Sequence, residues 1–189
     1  MIGTLVWVHD RTFEVIQKFF GDWFFGLFAR LAFASVLLHY FWHSAQLKVV
    51  NPRTGADGLF DWLTVEGNAF GQIAPKAFEA VTYDASQLGI GYWLVAYAGT
   101  YAEFILPLLI VLGLLTRISS IGMIGFILVM SWVDITGHGV DEKTIGAPFD
   151  RFQDAAIMDQ RLLWIVPLVY LTLRGAGAIS LDAVLRGLR

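Results

Sequence analysis

The chain has 189 residues, 57% of them hydrophobic, with 15 Phe and 7 Trp. A soluble domain of this length could not hide so much apolar surface, so lipid must cover it. The net charge of −3 argues against nucleic acid as a partner, since phosphate binding needs a basic surface. The lack of cysteine excludes disulfides, thiolate metal sites, iron–sulfur ligation and thiol catalysis.

At the start, the apolar run 2–8 is interrupted at once by His9, Asp10 and Arg11, and no basic region precedes it. It does not have the form of a cleavable signal. Residues 11–22 place Phe13, Ile16, Phe19 and Phe20 on one helical side with charged residues between. This predicts either a short helix lying in the membrane interface or an extension of the first span. The first span is expected at about 23–47 and carries Arg30, His39 and His43, an unusual polar load for lipid. Residues 48–91 are polar and broken by Gly and Pro, which predicts a long loop with short helices at 59–65 and 76–86.

Two long apolar runs follow, expected as spans at about 92–115 and 117–136. Glu103 and Asp134 are their acidic residues, and Arg117 marks the tight connection. A second polar loop occupies 138–159. A short fourth span covers about 158–174, and 180–189 reads as a surface helix capped by Ser180. The expected fold is an all-α membrane protein, a four-transmembrane-helix bundle. A short N-terminal interfacial segment (1–22) precedes the membrane domain (23–189), which ends in the C-terminal surface helix. The glycines of 175–177 follow a helix rather than a strand, so they end the fourth span and do not form a dinucleotide loop.

Four spans put both termini on one side. The short connections and tails carry Arg11, Lys18, Arg117, Arg174, Arg186 and Arg189, which favours termini in the cytoplasm. At ~1.5 Å per residue, Arg30 then sits roughly 10 Å in from that face and Glu103 roughly 18 Å in. An arginine can bridge the difference, so an Arg30–Glu103 pair is expected, with Arg30 reaching to the headgroups as the competing arrangement. His39, His43, Asp134, His138, Tyr97 and Trp93 fall at similar heights in the outer leaflet, and His39/His43 and Asp134/His138 are i,i+4 pairs.

Three readings of this belt stay open. It could ligate a metal or haem, although no motif fixes a ligand geometry. It could hold a quinone, with an imidazole bonding the carbonyl and an aromatic stacking on the ring. It could simply anchor helix ends at the membrane rim. Arg30 and His39 lie nine residues apart, about half a turn out of phase, so they cannot share one groove. Such a two-sided helix favours an assembly.

Several stretches resemble the DoxX family. Arg30-Leu31-Ala32, leading to His43-Ser44-Ala45-Gln46-Leu47-Lys48, is similar to that family's first helix. Glu103-Phe104 with Leu112-Gly113-Leu114-Leu115-Thr116-Arg117 is similar to its second helix and turn. Asp159-Gln160-Arg161-Leu162-Leu163-Trp164, then Gly175-Ala176-Gly177 and Ser180-Leu181-Asp182, is similar to its fourth helix and C-terminal end. The family usually has a glycine after the position of His43 and its lysine one residue earlier than Lys48.

The resemblance implies a four-helix membrane bundle linked to redox chemistry, with relatives that include the membrane subunit of a thiosulfate:quinone oxidoreductase. The leading expectation is a redox-associated subunit of a bacterial inner membrane that contacts quinone, His39 and His43 binding the headgroup and Glu103 carrying protons. The alternative is a non-catalytic scaffold or peripheral subunit among other membrane or redox proteins. A transporter is disfavoured, because four spans show no inverted repeat.

Overall fold

The computed structural model describes residues 2–49 and 64–188, and among them the regular structure is helical. Helix α1 (Ile2–Phe33) is interrupted at Gly21, whose φ of 0° and ψ of −146° are not helical. Residues 3–19 are all exposed, so the break separates an outlying N-terminal helix from the bundle. The membrane part of α1 continues through a π-helical turn, Ala34–Leu38, into α2 (His39–Gln46). Together these make the first candidate span, Trp23–Gln46.

The second span is α5 (Ile90–Leu112), and the third is α6 (Thr116–Val133) with the π turn Asp134–His138. The fourth is the π turn Ala156–Arg161 followed by α8 (Leu162–Arg174). The second span stops at Leu112 because Gly113 adopts a left-handed φ of 70° and its N–H returns to the Ile110 carbonyl. The loops carry three short helices, α3 (Ala69–Ile73), α4 (Pro75–Ala80) and α7 (Glu142–Ile145). Of the loop helices expected, 59–65 lies almost wholly outside the described residues. The one at 76–86 is shorter than expected, ending at Ala80 because Thr82 and Tyr83 both take positive φ. The C-terminal helix α9 (Leu181–Gly187) starts where the Ser180 hydroxyl accepts from the Ala183 amide at 3.1 Å.

The core follows from helical periodicity. Ala29, Phe33, Leu37 and Phe41 recur every fourth residue along the first span and are buried against Ile110, Met123, Ile127, Leu168 and Leu171. Only 22–33% of the apolar stretch of each span is buried, and the remaining residues are exposed or half-buried. That suits a lipid solvent, where apolar side chains need no cover. A second cluster, Val65, Ala69, Phe70, Phe78, Leu88 and Ala96, seats the first loop on the upper turns of α5. The bundle therefore has a loop end and a termini end.

Candidate functional site: two ion pairs and an aromatic groove

At the loop end, Lys48 and Glu103 form an ion pair with both side chains 5% exposed. Lys48 Nζ lies 2.6 and 2.7 Å from the two Glu103 oxygens and donates to Ser44 Oγ at 2.9 Å, while Ser44 Oγ lies 3.3 Å from Glu103. The lysine is held there by its backbone: its carbonyl accepts from the Glu66 amide, and Val49 bridges Val65. Glu103 is held by α5, which is loosened locally because Pro107 lacks the N–H that would close the turn. Trp42 Nε1 donates to the Phe104 carbonyl there at 3.1 Å. A paired ion of each sign with its lone pairs occupied is the form in which charge survives in a low-dielectric interior.

A second pair, with the arginine buried and the aspartate half-buried, joins the third and fourth spans. Arg161 bonds Asp134 through Nη2 and Ser131 Oγ through Nη1 at 2.9 Å, while Arg161 Nε has no partner among the described residues. Tyr40, on the first span, packs its ring on Trp164 at 5.5 Å between centroids and lies within electrostatic range of Arg161, Asp134 and Glu103.

Arg30 does not pair with Glu103, contrary to the sequence expectation. Its guanidinium binds the carbonyls of Val111 at 2.7 Å, Ile179 at 2.5 Å, and Ile110 and Ala176 at 3.2 and 3.3 Å. The last turn of a helix presents unpaired carbonyls and the negative end of its dipole, and the returning segment 176–179 supplies two more acceptors. Arg30 points to this termini end, and Lys48 takes the carboxylate.

Two glycines permit the approach. A Cβ on Gly26 would stand 2.5 Å from the Ala176 oxygen, and one on Gly113 would stand 2.6 Å from the Ser180 side chain. Asp182 completes the joint, its carboxylate accepting from the Leu115 and Thr116 amides at 2.8 and 3.0 Å. Burial works to raise the Asp182 pKa, but these amide bonds outweigh it and hold the carboxyl below the ordinary range.

The six residues of the expected outer belt do not meet at one point. His39 and His43 stack at 6.0 Å on the exposed side of the first span. Trp93 and Tyr97 pack with the first loop, Trp93 edge-on to Phe70 at 4.9 Å. Asp134 belongs to Arg161, and His138 Nε2 lies 3.2 Å from the Gln72 carbonyl oxygen. Among the described residues no group of three or more His, Asp or Glu is placed to hold a metal.

Sequence reasoning missed Lys48, Arg161 and Tyr40. Lys48 stands just past the first span in sequence, and its i,i+4 relation to Ser44 is the signal that aims it back along the helix. Arg161 opens the fourth span at the loop end, the same end of the bundle as Asp134, and that shared end is the sequence signal for the pair.

A groove of about 640 Å³ runs between the first and fourth spans. Its walls are Phe25, Phe28, Val36, Trp164, Pro167 and Tyr170, with small Ala29 and Ala32 along it, and Gln160 brings the one amide, at the loop end. His39, Tyr40 and His43 lie one to two turns beyond Val36, at spacings that keep them near its side of the first span. The stacked imidazoles are thus near the groove's upper mouth without lining it.

This architecture defines a multi-pass helical membrane protein: four apolar helices long enough to span, locked internally by charge pairs at one end and an arginine–carbonyl joint at the other. The DoxX family model matches residues 25–134, more than half of the chain, and the chain belongs to the DoxX family. That places it among membrane proteins often associated with redox complexes. No curated protein and no solved structure matches it.

Proposed function

We propose that this chain is a redox-associated subunit of a bacterial cytoplasmic membrane that receives an isoprenoid quinone between its first and fourth spans. The single observation that supports this most is the groove, apolar and aromatic along its length with an amide at one end only. That is the polarity of an isoprenoid tail with a ring headgroup. Gln160 would face the ring, Trp164 and Tyr40 would flank it, and His39 and His43 would offer imidazole donors from the mouth. A quinone, when bound, supplies two-electron, two-proton exchange. The chain's part is to orient the ring, exclude water and provide proton-bearing groups, and Glu103 would carry a proton only as a unit with Lys48, whose ammonium occupies both its oxygens. The arginines at the termini end support cytoplasmic termini.

The test is quinone extraction from purified protein. The wild-type chain should retain quinone, and Ala32→Trp, which fills the groove, should lose most of it. Gln160→Leu with His39→Ala and His43→Ala should weaken retention. A wild-type preparation without quinone, or an Ala32→Trp protein that keeps a full complement, would overturn the reading.

A second reading has its own support. Asp134, His138 and Trp93 are each engaged within the chain, as expected if the polar residues serve rigidity and the protein is a scaffold for other membrane or redox subunits. Recovery in a stable larger complex whose electron transfer is unchanged by the groove and mouth variants would favour it.

A further inference from the structure

The termini end of the bundle combines unpaired positive charge with an uncovered apolar stripe. Arg117 opens α6 and Arg174 ends α8; both are exposed. Neither is in an ion pair with a carboxylate among the described residues, where the pairs are His9–Asp10, Arg11–Glu14, Lys48–Glu103 and Arg161–Asp134. They lie close together: Arg117 Nε is 3.5 Å from where a Cβ on Gly175 would stand. A third guanidinium, Arg186, bonds the Asp182 carbonyl at 3.1 Å. The nearby acid, Asp182, has both carboxylate oxygens occupied by the Leu115 and Thr116 amides, so it is not free to neutralise an arginine by direct pairing.

The same helix that carries Asp182 and Arg186 shows a second face. Leu181, Val184, Leu185 and Leu188 recur at i, i+3, i+4 and i+7 and are 41–78% exposed. Asp182 sits beside this stripe and ties α9 to the start of α6, while the stripe itself stays exposed. A helix that is tied down by a carboxylate and carries an exposed apolar stripe has the form of an interfacial helix. Ile118 and Leu173, 70% and 68% exposed, continue the apolar surface onto the third and fourth spans beside the two arginines.

We propose that this end is a docking face for anionic phospholipid. The leucine stripe of α9 lies among the upper acyl carbons, and Arg117 and Arg174, with Arg186 beside them, bind the phosphate-bearing headgroups. Guanidinium pairs phosphate in a forked geometry, and the sign of the charge selects an anionic lipid over a zwitterionic one. The inference depends on the four-span fold and not on the quinone reading, since the two surfaces share no residue.

The experiment titrates the full-length chain in detergent with phosphatidylglycerol and with phosphatidylcholine of the same acyl chains, reading bound lipid by native mass spectrometry. Phosphatidylglycerol should bind in clear preference. Each arginine near a headgroup is worth about a fivefold change, so Arg117→Gln with Arg174→Gln should lower the preference on the order of 25-fold. Arg117→Lys with Arg174→Lys should keep most of it. Both positions are exposed, and unchanged thermal unfolding of the glutamine variant would show that its fold is intact. Millimolar inorganic phosphate should not compete. Equal binding of the two lipids, a glutamine variant with undiminished preference, or displacement by inorganic phosphate would each overturn the proposal. So would a chain that buries the α9 stripe in a dimer whose stability ignores lipid charge.

Discussion

The Lys48–Glu103 pair offers the sharpest energetic test. Replacing Glu103 with alanine leaves an ammonium 5% exposed with Ser44 as its remaining side-chain acceptor. Stranding one member of a buried pair costs about 3–5 kcal/mol, whereas exchanging both members for apolar residues of similar volume is often neutral or stabilising. Lys48→Met and Glu103→Leu made together should therefore be far milder than either change alone. At ~2–4 °C per kcal/mol for a chain of this size, each single variant should unfold about 10 °C lower. The double variant should recover most of that loss. The assay is thermal unfolding in one detergent, arranged as a double-mutant cycle. If the losses simply add, with no coupling energy, the two side chains do not act as a buried pair.

Three further outcomes follow from the termini end. Arg30→Lys cannot reach acceptors on both the 110–111 turn and the 176–179 segment, and unfolding should fall by about 2–3 kcal/mol, measurable by the same melts. Gly26→Val drives a side chain against the Ala176 carbonyl, where even a Cβ would stand 2.5 Å away. About 1–3 kcal/mol should be lost, together with looser packing of 175–179, seen as faster amide exchange there. Asp182→Asn weakens the cap on α6 by about 1 kcal/mol. Because the folded pKa of Asp182 is depressed, its contribution is complete above the ordinary aspartate value of ~3.9 and is lost as pH falls below it. Stability measured from neutral to acid pH should show that loss in the wild-type chain and a smaller one in Asp182→Asn.

The spans were legible because each is a run of apolar residues as long as a bilayer is thick, and hydropathy needs no partner to be read. The end of the second span was less so, since the left-handed Gly113 stops the helix before the apolar run does. Depth was the weaker guide to contact. It assigned a height to the backbone, while Lys48 reaches back a full turn from just past its helix and Arg30 points toward the opposite end. Two of the carbonyls that capture Arg30, those of Ala176 and Ile179, belong to a segment nearly 150 residues away, and backbone acceptors leave no mark on composition. Nor did periodicity announce the π turns at Ala34–Leu38, Asp134–His138 and Ala156–Arg161. Each changes the phase of its helix. Asp134 consequently meets Arg161 across the bundle and His138 meets the loop carbonyl of Gln72, so residues at one predicted height serve different neighbours.

A four-span bundle of this kind requires both ends of the chain on one side of the membrane and both long loops on the other. The lack of native cysteine allows a direct measurement, because single cysteines placed at Gly3, Ser86, Thr144 and Gly187 can be labelled without background. In intact cells a membrane-impermeant maleimide should modify Ser86→Cys and Thr144→Cys and leave Gly3→Cys and Gly187→Cys untouched until the membrane is opened. Labelling of Gly3→Cys and Gly187→Cys on opposite sides, or of Ser86→Cys and Thr144→Cys on opposite sides, would contradict the four-span bundle.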